Sequence, residues 1–334
     1  MRHRLVLGMA LAGLLVQSAA AETVWKVHSV FPENRAEAVA FSDFAADVEK
    51  ASDGELRLNF FHGGSLGLKD VDLLRTLPAG AADMAMIFSD YLSRDAPILG
   101  QLFVNGSATT PEANAKVAPV LKDFLTSFFE DSGLHVVGFY RAPLNQLSMF
   151  CKGTPVRTLE ELRSKKVRVW SKDLVDTFGA LGVSAQIIPQ ADLYIAMQTG
   201  VIDCAAYSHT LALSISLQEV ADSASYLFLQ AAPPVAAVAN KAAWEALTPE
   251  LKEILVREAD KMWESSAAAA ADFSMEEKAM ATTAAAGVTL LEPFSEEDRM
   301  AFRNAAIEVW AGSAQAIGPE AIALREKVLD AMDD

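Results

Sequence analysis

The sequence predicts an α/β protein of two lobes joined by strands. Three observations predict it. Strand and helix signals alternate along the chain. About 313 of its 334 residues remain once a leader is set aside, a length that suits two lobes. No internal repeat and no linker-like run breaks the pattern, so strands rather than a loose tether are expected to join the lobes.

The chain opens with Met1-Arg2-His3-Arg4, runs apolar from Leu5 to Val16, and continues Gln17-Ser18-Ala19-Ala20-Ala21. A basic start, a short apolar centre and an A-x-A end make a secretory leader, with cleavage expected after Ala21. The apolar run is shorter than the roughly 20 residues that cross a bilayer. No cysteine follows it to carry a lipid, and no later segment is long and apolar enough to span a membrane. The mature chain is therefore expected to be exported and soluble.

Residues 23–30 alternate with period two and read as the first strand. Residues 34–51 carry a helical stripe of Val39, Phe41, Phe44, Ala45 and Val48, ended by Ser52-Asp53-Gly54. A strand over 56–61, a loop at Gly63-Gly64-Ser65-Leu66-Gly67, a short helix from Asp70 to about Pro78 and a strand over 83–88 follow. A long helix is expected from Pro111 to about Asp131, then strands over 134–139, 147–152 and 166–170. Between the last two, Thr158 and Glu161 have capping-box spacing. Helices near 174–181 and 191–198 bracket a strand at 185–188, and 202–207 is strand-like again. Residues 235–240 read as a strand returning to the first lobe. Residues 249–285 look like one very long helix, whole or interrupted, and 295–332 like two or three more. The expected lobes are 22–145 with about 232–272, and 146–231 with about 273–334. Ligands of open α/β sheets bind beyond the carboxyl ends of strands, so residues just after Val30, Ile87, Val169 and Ala205 are the natural lining.

The formal net charge is −16, and removing the leader takes away two arginines and no acid. So acidic a surface argues against nucleic acid and anionic lipid as partners. An anionic ligand would have to be drawn in by local charge. The five histidines, His3, His28, His62, His135 and His209, are scattered and form no helical i, i+4 pair, which speaks against a metal receptor. A secreted hydrolase is also disfavoured: Gly63-Gly64-Ser65-Leu66-Gly67 has the G-x-S-x-G spelling but reads as a loop and not as a nucleophile elbow, and H-E-x-x-H is absent. No cofactor is expected.

The most informative stretch is Lys166-Val167-Arg168-Val169, followed by Ile188-Pro189-Gln190-Ala191-Asp192-Leu193-Tyr194-Ile195-Ala196-Met197-Gln198-Thr199-Gly200-Val201-Ile202-Asp203. It sets one arginine between two buried-type valines at a strand end. Its planar guanidinium never deprotonates and matches a carboxylate with two parallel hydrogen bonds. The block resembles the solute-binding proteins of TRAP transporters, which carry a K-I/V-R-V strand and then P-x-x-E-V-Y-x-A-L-Q-T-G-V-I/V-D. Four further stretches are similar to that family in the same order: Phe44 to Leu56, Gly64-Ser65-Leu66-Gly67, Gly80-Ala81-Ala82-Asp83-Met84-Ala85, and Thr154 to Leu162. The resemblance implies a two-lobe periplasmic binding protein fold with crossing hinge strands and a long lobe-spanning helix. It implies a periplasmic receptor that closes over a small organic anion and delivers it to TRAP membrane subunits; a sensor partner presenting the same ligand is the alternative. Since the resembled family does not depend on a bridge here, Cys151 and Cys204 are expected to be two separate buried thiols, though both lie on predicted strands of one region.

The resemblance makes Arg168 the grip on the ligand's carboxylate; sulfonate also fits the guanidinium fork. Trp170 either stacks on the ligand or fills the core. Where relatives have D-G-x-E-N, this chain has Asp203-Cys204-Ala205-Ala206-Tyr207, so Tyr207 is expected to donate its hydroxyl in place of the asparagine, beside Ser208. His209 either assists or caps the next helix while exposed. Phe88 walls the pocket and Ser89 bonds within it. Asp90 caps the following turn or, facing the cleft, favours a ligand with an amine or hydroxyl. Gln190 matches a loop position that faces the cleft in relatives. His28, Asn34 and Arg35 lie by the end of the first strand. Asn145, Gln146 and Ser148 lie where some relatives carry a second arginine, and Arg141 is the nearest arginine.

Overall fold

The computed structural model describes residues 22–333. The leader and its cleavage point lie outside the described residues. The first half runs β1 (Thr23–Ser29), α1 (Ala36–Ala51), β2 (Leu56–Phe61), α2 (Leu73–Thr76), β3 (Met84–Ile87), α3 (Pro111–Asp131) and β4 (Leu134–Tyr140). The second runs β5 (Gln146–Cys151), α4 (Leu159–Leu162), β6 (Lys166–Val169), α5 (Lys172–Ala180), β7 (Ser184–Ile187), α6 (Gln190–Gln198), β8 (Cys204–Tyr207), α7 (His209–Ser214) and β9 (Ser223–Leu229). The chain then continues through β10 (Val235–Asn240), α8 (Lys241–Ala246), α9 (Pro249–Ala269), α10 (Ser274–Ala285), β11 (Thr289–Leu290), α11 (Glu296–Ile317) and α12 (Pro319–Asp333).

Two sheets form, with strand orders β2-β1-β3-β10-β4 and β11-β9-β5-β8-β6-β7. In each, parallel strands feed the cleft and antiparallel strands return the chain: β10 runs against β3 and β4, and β5 against β8 and β9. Both faces of each sheet are covered, which is why β3 (Met-Ala-Met-Ile) and β10 (Val-Ala-Ala-Val-Ala-Asn) are buried at every position instead of alternating. On the first sheet α1 and α9 cover one face through Phe41, Phe44, Leu255 and Ala259, and α3 covers the other through Leu121, Leu125 and Phe129. Gly138 in β4 lets α9 come close: a Cβ there would sit 2.6 Å from that of Ala259.

The chain crosses between the sheets at 141–145 and returns at 230–234. The two crossings are bonded to each other, with the Gln230 amide donating to the Asn145 carbonyl at 3.0 Å and the Asn145 side chain donating to Gln230 Oε1 at 2.7 Å. A third crossing lies at 270–273. There the expected long helix breaks into α9 on the first lobe and α10 on the second, because Asp272 Oδ1 accepts the Ser274 amide at 2.9 Å and starts a new helix. Leu144 N donates to the Ala270 carbonyl at 3.0 Å, fastening this crossing to the first.

The tail beyond 273 does not stay with the second lobe. Phe302 of α11 packs with Phe178 and Phe228 on the second sheet, whereas Trp310, two turns on, is buried in the first lobe's core and donates Nε1–H to the Gln101 carbonyl at 2.7 Å. Then α12 packs on α3. The helix that spans the lobes is therefore α11. The expectation of two free thiols is also corrected: Cys151 and Cys204 are joined in a disulfide. The antiparallel register of β5 and β8 sets them directly opposite each other, with Cα atoms 4.1 Å apart. Among the described residues no helix is long and apolar enough to cross a membrane.

Candidate functional site

The carboxyl ends of β1, β3, β6 and β8 open toward the space between the lobes. Arg168 comes from β6, with Val167 and Val169 buried on either side of it. Its own side chain is 2% exposed. Nε–H donates to the Ile188 carbonyl at 2.9 Å, and the guanidinium lies 5.2 Å from the centre of the Tyr207 ring. Nη1 is buried with no hydrogen-bond partner, and no carboxylate pairs with the group among the described residues. Burial lowers its pKa, with Tyr207 opposing, yet an arginine stays charged. An unpaired buried charge costs several kcal/mol, and no described residue offers this guanidinium a counter-charge.

Tyr207 ends β8. It is buried, and its hydroxyl has no partner. Burial pushes its pKa up to about 12, against the pull of Arg168 and Arg35, so it remains a donor at neutral pH. Arg35 precedes α1 on the first lobe and lies 5.4 Å from the Phe31 ring centre. Its fork holds buried Glu37, Nε to Oε2 at 3.1 Å and Nη2 to Oε1 at 2.5 Å. Burial opposes its charge, but the bond to Glu37 and the fields of Glu37, Tyr91 and Tyr207 raise its pKa overall. Arg35 thus reaches the second lobe electrostatically, and it also acts on Tyr140 at the end of β4.

Asp90 follows β3 in a single 3-10 turn, Ser89–Leu92. Its carboxyl is open to solvent but walled by protein. Burial, and then the charge of Asp173 in the first turn of α5, push its pKa up to about 7. Ser89 is buried with its hydroxyl unpartnered. Phe88 is half-buried, its ring centre 5.7 Å from that of Tyr91. Asp173 accepts from Asn105 N at 3.1 Å and Asn105 Nδ2 at 2.9 Å, and Asn105 Oδ1 accepts from Ala231 N at 3.3 Å. That chain of bonds links both lobes to the returning crossing. Next to it, Gly106 takes φ +79°, and a Cβ there would meet the Phe302 ring at 2.5 Å.

The Arg168 guanidinium meets the Tyr207 ring and Phe88 meets Tyr91, while Arg35 interacts with Tyr207 and Tyr91 through its charge. Other expected residues stand differently. Ser208 is fully buried, and its Oγ accepts the Leu211 amide at 3.3 Å, capping α7. His209 is not an exposed cap: it is buried, with Nε2 3.4 Å from Ser148 Oγ and its ring centre 4.8 Å from that of Phe150. Glu276 of α10 does part of the capping instead, taking His209 N at 2.6 Å and Thr210 N at 3.0 Å. Burial lowers the His209 pKa against the field of Glu276. His209, Ser148, Gln146, Tyr226 and Glu276 line a separate cavity of about 90 Å³. Trp170 is half-buried against the second lobe's core, and Gln190 is exposed at the start of α6. His28 is buried with Nε2 3.3 Å from Asp70, and Asn34 is exposed. Arg141 is buried in the first crossing; its amide donates to Ser266 Oγ at 3.0 Å, and its guanidinium has no acidic partner among the described residues. Tyr91, Tyr140 and Asp173 escaped the sequence; the last follows the Arg168 strand by four residues, which was the available signal. Among the described residues no three histidine, cysteine or acidic side chains gather to hold a metal.

Residues 27–316 match the model of the family described as bacterial extracellular solute-binding protein, family 7 (DctP). A solute-binding protein of Albidiferax ferrireducens is 29% identical over 222 residues, which is 64% of this chain and 64% of that one, so the chain spans just under two-thirds of that relative's length. Two solved structures share the fold. One is a TRAP periplasmic solute-binding protein from Rhodoferax ferrireducens with bound malonate (TM-score 0.72, 23% identity, covering 92% of this chain and 96% of that one). The other is DctP7, a Bordetella pertussis extracytoplasmic solute receptor binding pyroglutamic acid (TM-score 0.76, 18% identity, covering 93% and 100%).

Proposed function

Since the chain belongs to bacterial extracellular solute-binding protein family 7, we propose that it is the periplasmic receptor of a TRAP transporter, taking one small organic carboxylate between its lobes and handing it to the membrane subunits. It is a receptor and not an enzyme: the cleft captures and releases its ligand unchanged. The export that this role requires is assigned to the leader, with cleavage after Ala21.

One observation carries the reading of the ligand: the buried Arg168 guanidinium with Nη1 unpartnered and no counter-charge. A carboxylate entering the cleft completes the fork that the Ile188 carbonyl leaves half used. Tyr207 adds an O–H donor beside it. Ser89 supplies a further hydroxyl, and Phe88 and Trp170 supply apolar wall at the two lips. Gln190 sits at the rim. Ser208 and His209 hold the end of β8 in place from behind, through the α7 cap and the contact with Ser148. The ligand bridges the lobes and favours their closed arrangement by binding that arrangement more tightly.

The test is a thermal-shift and calorimetric screen of the mature chain against small carboxylates and sulfonates, on wild type, Arg168→Ala and Arg168→Lys. A ligand at about 100 times its dissociation constant stabilises by about 2.7 kcal/mol. At roughly 2–4 °C per kcal/mol that is a clear shift of the melting point. Arg168→Ala abolishes it, and Arg168→Lys weakens binding by at least about tenfold, because an ammonium cannot replace two parallel bonds. A ligand whose affinity is the same in all three proteins overturns the assignment of Arg168.

A further inference from the structure

We propose that the cavity beside His209 is a slot for the far end of the ligand, so that the acid bound here is a chain of several carbons with its carboxylate at Arg168 and an uncharged, apolar end. The proposal rests on the carboxylate reading of Arg168 and goes beyond it in naming the rest of the ligand.

Sheet register places the slot. In the second sheet β6, β8, β5 and β9 are consecutive neighbours. Tyr207 of β8 lies directly opposite Ser148 of β5, and Ser148 directly opposite Tyr226 of β9. Residues paired in this way share a face of the sheet. They form a row, and the Arg168 guanidinium lies against the Tyr207 ring at its near end. Ser148, His209 and Tyr226 line the cavity of about 90 Å³. It therefore begins one strand beyond Tyr207 and two strands, about 10 Å, from Arg168. Its polar and apolar walls lie at opposite ends. Because β5 runs against β8, its first residue, Gln146, stands at the cleft end, next to the crossing at 141–145. Glu276 is in the first turn of α10, just past the crossing at 270–273, and His209 follows the carboxyl end of β8. With Ser148 these residues make a polar mouth toward the cleft. From there α10 runs to β11, whose Leu290 pairs with Ala224 near the far end of the sheet, where Cys151 and Cys204 are joined. Met280, one turn beyond Glu276, forms an apolar floor with Ala224, Leu290 and Leu291.

The chemistry of the walls decides what enters. Ser148, His209 and Glu276 are each more than nine-tenths buried. Glu276 is taken up by the His209 and Thr210 amides and the Thr210 hydroxyl, and Ser148 Oγ lies 3.4 Å from His209 Nε2. His209 Nδ1 is buried without a partner. A hydroxyl on the passing chain, both donor and acceptor, satisfies it in either tautomer. Among the described residues no lysine or arginine lines the slot, and a charge buried without a partner is costly, so the end that enters is uncharged. Arg299 lies 5.9 Å from the Tyr226 ring centre but outside the lining. Arg141, buried in the first crossing without an acidic partner among the described residues, is outside it too and stays open to a second carboxylate. The two destinations are chemically distinct: an apolar end for the slot, an anionic end for Arg141. About 10–15 Å³ of such space holds a water molecule, so the slot has room for several chain atoms.

The experiment is calorimetry of the mature chain with butanoate, hexanoate, octanoate and octanedioate. Each methylene that enters the slot is expected to tighten binding by roughly fourfold, so hexanoate should bind wild type at least about tenfold more tightly than butanoate. Ala224→Leu fills the floor, and there the ratio of hexanoate to butanoate affinity is expected to fall to within about twofold. Met280→Ala, at a half-buried side chain, is the second variant should the first fold poorly; it lengthens the slot and is expected to move the preference from hexanoate to octanoate. Affinity that does not depend on chain length in wild type, or a length preference that neither variant moves, overturns the slot. Octanedioate binding more tightly than octanoate also overturns it, because the far end of the ligand is then anionic and belongs with a cation such as Arg141. Arg168→Ala separates the two claims. Loss of every acid there, with no chain-length dependence in wild type, leaves the carboxylate reading standing and removes this one. No binding of any of the acids to wild type overturns both.

Discussion

At the scale of single residues, the cleft holds groups whose ionisation has been moved by their neighbours. Asp90 titrates near 7, while a carboxyl in an unfolded chain titrates near about 4. Between those values the native protein keeps a proton that the unfolded chain has released. The stability contributed by Asp90 is therefore full below the lower value and lost as pH rises through the upper one. The melting point of Asp90→Asn is expected to exceed that of wild type increasingly between pH 5 and 8. Comparing the two cancels His62, His135 and His209, whose lowered pKa values act on both proteins in the same window. A difference that does not grow with pH would show that Asp90 is ordinary. The strand that carries Arg168 was legible in the sequence, because two valines flank it and a long motif follows; its role in binding remains the proposal above. Tyr91, Tyr140 and Asp173 were not, because their nearness to Arg35 and Asp90 exists only once distant loops meet. The burial of His209 was hidden for the same reason: its roof, Glu276, comes from a helix 67 residues away in sequence.

At the scale of elements, strands and helices followed the periodicity closely, since a sheet covered on both faces writes itself as apolar runs. Pairing did not. Whether β5 lies beside β8, and in which register, decides whether Cys151 and Cys204 meet, and period-two patterning carries no such information. The bridge closes a loop with a sequence separation of 53. Constraining a loop of that size in the unfolded chain stabilises a fold by about 2–4 kcal/mol. Urea denaturation of Cys151→Ala/Cys204→Ala is expected to show a loss of that order with ligand affinity retained, because the pair sits at the end of the strands away from the cleft. Two titratable thiols in denatured, unreduced wild type would contradict the bridge. The break between α9 and α10 was open in the sequence. Its place became clear only with the hydrogen bond from Ser274 N to Asp272.

At the scale of the whole molecule, three crossings at 141–145, 230–234 and 270–273 lie together and are bonded to one another. In the proposed receptor cycle this is where bending would move one lobe against the other with few bonds broken. Small-angle scattering is expected to show a smaller radius of gyration when the tightest acid of the screen is added, and no change for Arg168→Ala. An unchanged radius with saturating ligand would mean that binding does not close the lobes. The two-lobe plan was legible from length and alternation, but the route of the tail was not, because an amphipathic helix does not say which sheet it covers. That route has a mechanical consequence. With Phe302 wedged in one lobe and Trp310 in the other, α11 works as a strut across the back of the jaw. A strut pinned at both ends resists sliding and twisting and leaves mainly a swing about its own pins. In the proposed receptor cycle, opening and closing then approach travel along a single track, and a ligand would need to hold only the mouth to stop the whole swing.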